Sequence, residues 1–226
     1  MAADNKYKAA IFDLDGQMLD TEIVSYQCWK RACADFGYTL DDYTYHKIIG
    51  LIVPDMAPIF RRIFGPDFPL EQANNKRLQY MYDYFDKFGV TIKPGLLELL
   101  DLLEKAGLKE AVATSSCRES AMRKLKAAFI LDRFQVIVTG DDIRNGKPAP
   151  DIFLAALEKL NESPERCLVF EDSENGVRAA YNAAIPVIMI PDVKQPTKEV
   201  AALAYRIFPS LSDAVPFLRC LLDVRS

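Results

Sequence analysis

The residues Ala9-Ala10-Ile11-Phe12 form a short apolar run that stops on Asp13-Leu14-Asp15-Gly16. This pattern constrains the chain more than any other, because it recurs in kind. Ala111-Val112-Ala113 stops on Thr114-Ser115-Ser116, and Val136-Ile137-Val138 leads to a loop holding Gly146-Lys147-Pro148. Cys167-Leu168-Val169-Phe170 stops on Glu171-Asp172, and Val187-Ile188-Met189-Ile190 and the shorter Tyr205-Arg206-Ile207-Phe208 follow. Short apolar runs bounded by turn-forming residues read as strands buried on both faces. Between them lie helical patterns at Leu96 to Leu103, Pro150 to Leu160, Asn175 to Ala184 and Asp213 to Leu222. Pro94-Gly95 punctuates the first of these and Gly107 stops it. Strands alternating with helices imply crossover connections, hence an α/β core with a parallel sheet flanked by helices.

The stretch from Glu22 to Thr91 breaks that rhythm. It is rich in aromatic residues, among them Tyr26, Trp29, Phe36, Phe60, Tyr82 and Phe85, and reads mostly as helix. Its turn signals are Gly37-Tyr38, Gly50, Pro54, Gly65-Pro66 and Phe68-Pro69. We therefore expect residues 1-21 and 92-226 to form the core and residues 22-91 a helical module inserted after the first strand. A chain of 226 residues fits one large domain carrying such an insert.

In an open parallel sheet, ligands bind outside the carboxyl ends of the strands. Those ends here supply Asp13, Asp15, Glu171 and Asp172, the hydroxyls of Thr114-Ser115-Ser116, and Lys147. Clustered carboxylates repel one another, and a hard cation with oxygen ligands, Mg2+, relieves them. A lysine and a hydroxyl beside that cation make a phosphate site. One carboxylate can act as nucleophile and another can move protons, which together suggest phosphoryl transfer. Each signal alone also has a plain reading: a strand-ending turn, a helix N-cap or a solvated loop. Their order, each after a strand, is what points to a site.

Four motifs carry a family likeness: FDLDGQMLDTE (Phe12 to Glu22), VATSS (Val112 to Ser116), GKPAPDIF (Gly146 to Phe153) and VFEDSENGVRAA (Val169 to Ala180). Over nearly the whole chain the sequence resembles the haloacid dehalogenase superfamily. Within it, the likeness is to the branch with β-phosphoglucomutase and phosphatases of phosphosugars and pseudouridine phosphate. The resemblance implies a Rossmann-like core with an inserted helical cap. It implies Asp13 as nucleophile and Mg2+ ligand, and Asp15 as general acid/base with its carbonyl on the metal. It further implies Thr114 and the Ser115 N–H on the phosphoryl group, Lys147 balancing charge, Asp172 as metal ligand, and Glu171 as a ligand in direct or outer contact. The implied activity is hydrolysis of a small phosphorylated metabolite, a phosphosugar or nucleoside-type monophosphate, through an aspartyl phosphate. A phosphomutase and an idle phospho-ligand-binding protein remain as alternatives.

Some departures matter. β-Phosphoglucomutase-like enzymes carry a histidine soon after the first motif and an arginine early in the cap. Ser25 and Val53 fall at those positions, which favours a phosphatase over a mutase. Ala184 stands where the family commonly has glycine, which affects a turn. Asp15 argues against dehalogenation, because a leaving halide needs no proton.

Other readings are excluded more simply. Gly140 to Lys147 has the wrong glycine spacing for a nucleotide-binding loop, and Pro148 stands where Ser or Thr is needed. There is one histidine, His46, so a multi-histidine zinc site is excluded. Lys plus Arg is 28 against 32 Asp plus Glu, a net charge of −4, which argues against nucleic acid. Five cysteines without a metal-site spacing fit a reducing cytosol. No leader and no membrane span are expected. The expected protein is cytoplasmic, a monomer or weak dimer.

Overall fold

The computed structural model describes residues 5–192 and 194–224. The ends of the expected core segments, 1–4 and 225–226, lie outside the described residues. In chain order the elements are β1 (Ala9–Phe12), α1 (Glu22–Asp35), α2 (Asp42–Tyr45), α3 (Val53–Phe64), α4 (Leu70–Phe88), α5 (Leu96–Lys105), β2 (Lys109–Ala113) and α6 (Arg118–Ala127). β3 (Val136–Val138), α7 (Asp151–Leu160), β4 (Cys167–Glu171), α8 (Glu174–Asn182), β5 (Val187–Met189), α9 (Lys198–Ala201), β6 (Arg206–Ile207) and α10 (Leu211–Leu221) follow.

The six strands form one parallel sheet in the order β3-β2-β1-β4-β5-β6. The fold is the expected Rossmann-like α/β architecture. Side chains of a strand alternate between faces, so both faces of β1 must find apolar partners. Ala10 and Phe12 face a layer containing Leu99, Leu103, Leu125 and Leu218, from α5, α6 and α10. Ala9 and Ile11 face Phe153, Leu157 and Val177, from α7 and α8. Phe12 stacks on Phe170 of β4 at 4.5 Å between ring centroids. All four residues of β1 are fully buried, which explains a run without alternation.

The chain leaves β1 for β2 and β3 on one side and then returns to lay β4 on the other. The strand order therefore reverses at β1, and a crevice opens at its carboxyl end. Helices α1 to α4 occupy the gap between β1 and α5. They share an apolar cluster of their own, built on Trp29, Tyr45, Phe60 and Phe68. The outgoing and returning chains lie side by side. The Asp20 N–H donates to the Thr91 carbonyl at 2.9 Å, the Lys93 N–H donates to the Met18 carbonyl at 2.9 Å, and Leu19 bridges Ile92. The Lys93 ammonium pairs with Asp192 at 2.6 Å and Asp20 at 3.4 Å.

Three local expectations shift. Pro54 lies in the first turn of α3 rather than in a turn, where a missing N–H costs nothing. Glu171 is the last residue of β4 rather than a loop residue. α10 starts at Leu211, two positions before the expected Asp213, because Ser210 caps it by accepting from the Asp213 N–H. Ala184 has φ +58°, the left-handed region that glycine adopts without strain. Among the described residues no helix is long and apolar enough to cross a membrane.

Candidate active site

Asp13 follows β1 directly, and its N–H still donates to the Phe170 carbonyl at 3.0 Å. This last bond of the ladder fixes where its carboxylate emerges. Lys147, only 3% exposed, donates to Asp13 Oδ1 at 2.5 Å, to Glu171 Oε1, and to the Ala113 carbonyl at 3.3 Å. The loop before α7 thus inserts one ammonium between carboxylates from two neighbouring strands. Burial, against the relief from Lys147 and reinforced by Glu171, pushes the Asp13 carboxyl up to about 7. Burial lowers the proton affinity of Lys147, but Asp13 and Glu171 outweigh it and hold the ammonium charged.

Glu171 is fully buried. Its Oε2 accepts from the N–H groups of Asp172 and Ser173, both at 2.9 Å, and from the Ser173 hydroxyl at 3.0 Å. With Oε1 on Lys147, it stands behind that lysine rather than on the cavity wall.

Asp15 is held differently. Oδ1 accepts from Thr21 at 2.5 Å and Lys124 at 2.6 Å, and Oδ2 accepts from Ser116 at 2.7 Å and Lys124 at 2.8 Å. Burial would raise this carboxyl, but Lys124 together with these hydrogen bonds holds it below its ordinary value. Lys124, 2% exposed, reaches back from α6. Thr114, 1% exposed, receives the Ser116 N–H on Oγ1 at 3.1 Å, so its hydroxyl proton is left to donate. The Ser115 hydroxyl is buried without a partner among the described residues. Thr114 and Ser115 both line the cavity.

That cavity, about 110 Å3, lies between the strand ends and the helical insert. Asp13, Asp15, Thr114, Ser115, Lys147 and Asp172 all line it, and Glu171 joins them from behind through Lys147. Ser25 and Val53 line it as well, while exposed His46 sits on the outside, its Nδ1 2.6 Å from the Asp42 carbonyl oxygen. Cys117 stands at the N-cap position of α6 without a side-chain capping bond. Sequence reasoning missed Lys124, Thr21 and Arg77. Lys124 left one signal: it occupies the apolar stripe Ala121, Leu125, Ala128, where a lysine needs a reason to be buried.

The charges show what the site can hold. Asp13 and Glu171 share Lys147, and Asp15 has Lys124. The Asp172 carboxylate has neither, and burial with the nearby negative groups Glu171, Asp13 and Glu22 raises its proton affinity well above the ordinary value. A Cβ on Gly16 would meet Asp172 Oδ2 at 2.5 Å, so only glycine lets that carboxylate approach the loop after β1. Among the described residues, no three His, Cys, Asp or Glu side chains are gathered to form an all-protein metal cage. A cation with one or two carboxylates, completed by carbonyl, water and substrate oxygens, fits this donor set, as is usual for Mg2+.

The sequence from residue 10 to residue 190 matches the family model for haloacid dehalogenase-like hydrolases. The chain belongs to that family. A phosphorylated carbohydrates phosphatase of Thermotoga maritima is 33% identical over 178 residues, covering 79% of this chain and 82% of the relative. Protein CbbY of Rhodobacter capsulatus is 32% identical over 218 residues, covering 92% and 95%. A solved structure of a CbbY variant from Rhodobacter sphaeroides, in complex with xylulose-(1,5)bisphosphate, superposes with a TM-score of 0.83 at 26% identity, covering 92% of this chain and 96% of that one. This hydrolase is accordingly an enzyme, and the expected class, a phosphoric monoester hydrolase, is the class in which the Thermotoga relative is named. Phosphatases of the family generally use Mg2+.

Proposed function

We propose that the protein is a Mg2+-dependent phosphatase that hydrolyses a small phosphomonoester, a phosphosugar or nucleoside-type monophosphate, through an aspartyl phosphate on Asp13. One observation carries the reading. A strand-end carboxylate bonded to a buried lysine stands beside a second carboxylate with no ion pair among the described residues, at the point where the strand order reverses. The printed names of the relatives support the substrate class.

In this reading an Asp13 carboxylate oxygen attacks phosphorus and the ester oxygen leaves. Lys147 favours the ionised form of Asp13 against burial and Glu171, and offsets the charge of the transferring group. The Thr114 hydroxyl and the Ser115 N–H donate to phosphoryl oxygens. Asp13, Asp172 and the Asp15 carbonyl would hold Mg2+, which when bound offsets the repulsion between nucleophile and phosphate. Glu171 positions Lys147 and the turn after β4.

Asp15 carries the proton. The negative phosphoryl group arriving beside it raises its proton affinity, so it takes up a proton from solvent and passes it to the leaving oxygen. Its carboxylate then takes a proton from the water that cleaves the acyl phosphate, restoring Asp13 and releasing phosphate. Residues 22-91 act as a cap that excludes water and selects the leaving group. We place the protein in the cytoplasm as a monomer or weak dimer. The five cysteines, all free, fit a reducing compartment.

The test is phosphate release from a panel of phosphosugars, nucleotides and pseudouridine phosphate, with Mg2+ and then with EDTA. Metal-dependent release from a narrow set is expected. Asp13→Asn should lose at least about a thousandfold in kcat while keeping the fold by circular dichroism. Near-wild-type release by that variant would remove Asp13 as nucleophile. Interconversion of glucose phosphates on adding a bisphosphate, without release, would favour the mutase. Ser25 and Val53, on the cavity wall where a mutase has its histidine and arginine, speak against that outcome.

A further inference from the structure

Arg77 comes from α4 and lines the same cavity as Asp13 and Thr114. Its contacts among the described residues are all neutral. Nε and Nη2 donate to Asn74 Oδ1 at 3.1 and 2.9 Å, Nη1 lies 3.1 Å from Met81 Sδ, and the guanidinium sits 5.0 Å from the Trp29 ring centroid. Asp15, the carboxylate whose field it feels, is already bonded to Lys124, Thr21 and Ser116. A partly buried guanidinium without a counter-ion keeps its charge available to a ligand, and its fork suits the two oxygens of a carboxylate or phosphate. Asn74 and Trp29 hold the fork in one orientation. Because Asn74 Oδ1 faces Arg77, its amide N–H groups are left to donate, and Asn74 also lines the cavity. The reacting phosphoryl group already has Lys147 and Thr114, so Arg77 serves another part of the ligand.

We propose that Arg77 and Asn74 recognise a second acidic group on the substrate, a carboxylate or a second phosphate, so that the enzyme selects small phosphomonoesters carrying two acidic groups. This rests on the phosphatase reading above and specifies its substrate.

Two matched pairs of probes test it: glycerol 3-phosphate against 3-phosphoglycerate, and ribulose 5-phosphate against ribulose 1,5-bisphosphate. Binding is measured by calorimetry on full-length Asp13→Asn protein with Mg2+, and hydrolysis on the protein with Asp13 intact. The acid-bearing member of at least one pair should bind about tenfold tighter or more. Arg77→Gln should erase that preference while changing the plain member less than about threefold, and Arg77→Lys, which keeps the charge but not the fork, should retain part of it. A preference within the first pair names a carboxylate, and one within the second a phosphate. Should Arg77→Gln not fold, Arg77→Lys with an unchanged thermal midpoint carries the comparison. Equal binding within both pairs, or a loss on substitution that falls equally on both members, overturns the proposal. Turnover is scored separately. An Arg77-dependent preference in binding without phosphate release keeps this inference and sinks the hydrolytic reading, and release without preference does the reverse.

Discussion

Asp13 and Asp15 are the same residue type two positions apart, yet the fold drives their proton affinities in opposite directions. Both lose water. Asp13 shares its lysine with Glu171, whereas Asp15 has Lys124 to itself and two hydroxyls besides. Replacing Lys124 with methionine keeps most of the side-chain length and removes the ammonium. Lys124→Met should lower kcat at least about a hundredfold in steady-state assays, the range of a lost proton-transfer group. A drop of less than threefold would show that Asp15 works without an ammonium partner. A second residue-scale prediction concerns Ala184, exposed and held at φ +58°. A Cβ in the left-handed region costs about 1 kcal/mol or more, so Ala184→Gly should stabilise the protein by about 1 kcal/mol in urea unfolding. Destabilisation would mean that the extra freedom of glycine in the unfolded chain outweighs the relieved strain. The residue identity at this turn was legible from the sequence, but its backbone angle was not.

At the scale of elements, β2 holds a group that nothing in the catalytic reading uses. Glu110 is 2% exposed, neither carboxylate oxygen has a hydrogen-bond partner among the described residues, and Arg133 lies 4.0 Å away. Burial, against the attraction of Arg133, pushes the carboxyl up from 4.5 to about 7. Between those values the folded chain keeps a proton that the unfolded chain releases. This group's contribution therefore makes stability fall as pH rises from about 4.5 to about 7, with no further loss above. Glu110→Gln keeps a neutral side chain of the same shape. Its melting temperature should exceed that of the unsubstituted protein at pH 8 and approach it at pH 4.5, and a gain that is the same at both pH values would rule out the linkage. The strands themselves were legible because a segment buried on both faces has little freedom in composition, as Ala9–Phe12 shows. The site residues that end strands were legible for the same reason. Arg77 and Lys124 were not, because each sits on a helix whose sequence is otherwise ordinary, and only packing shows that the side chain points into the cavity.

At the scale of the whole molecule, the cavity wall is drawn from both the strand ends and the helical insert, so a ligand bound there ties the two together. Binding to the folded state alone stabilises by about 2.7 kcal/mol when the ligand is at a hundred times its Kd. Mg2+ with orthophosphate should therefore raise the melting temperature by roughly 5–10 °C for a chain of this size, and EDTA should abolish the gain. An equal shift from phosphate in EDTA would mean that Lys147 and the hydroxyls bind the anion without the cation. The insert also leaves and rejoins the sheet domain through two chain segments bonded to each other, at Met18 to Asp20 and Thr91 to Lys93. Its attachment points are thus neighbours whatever lies between them, and joining them needs no long loop closure. A segment joined in this way can change in length or composition while the carboxylates at the strand ends keep their places.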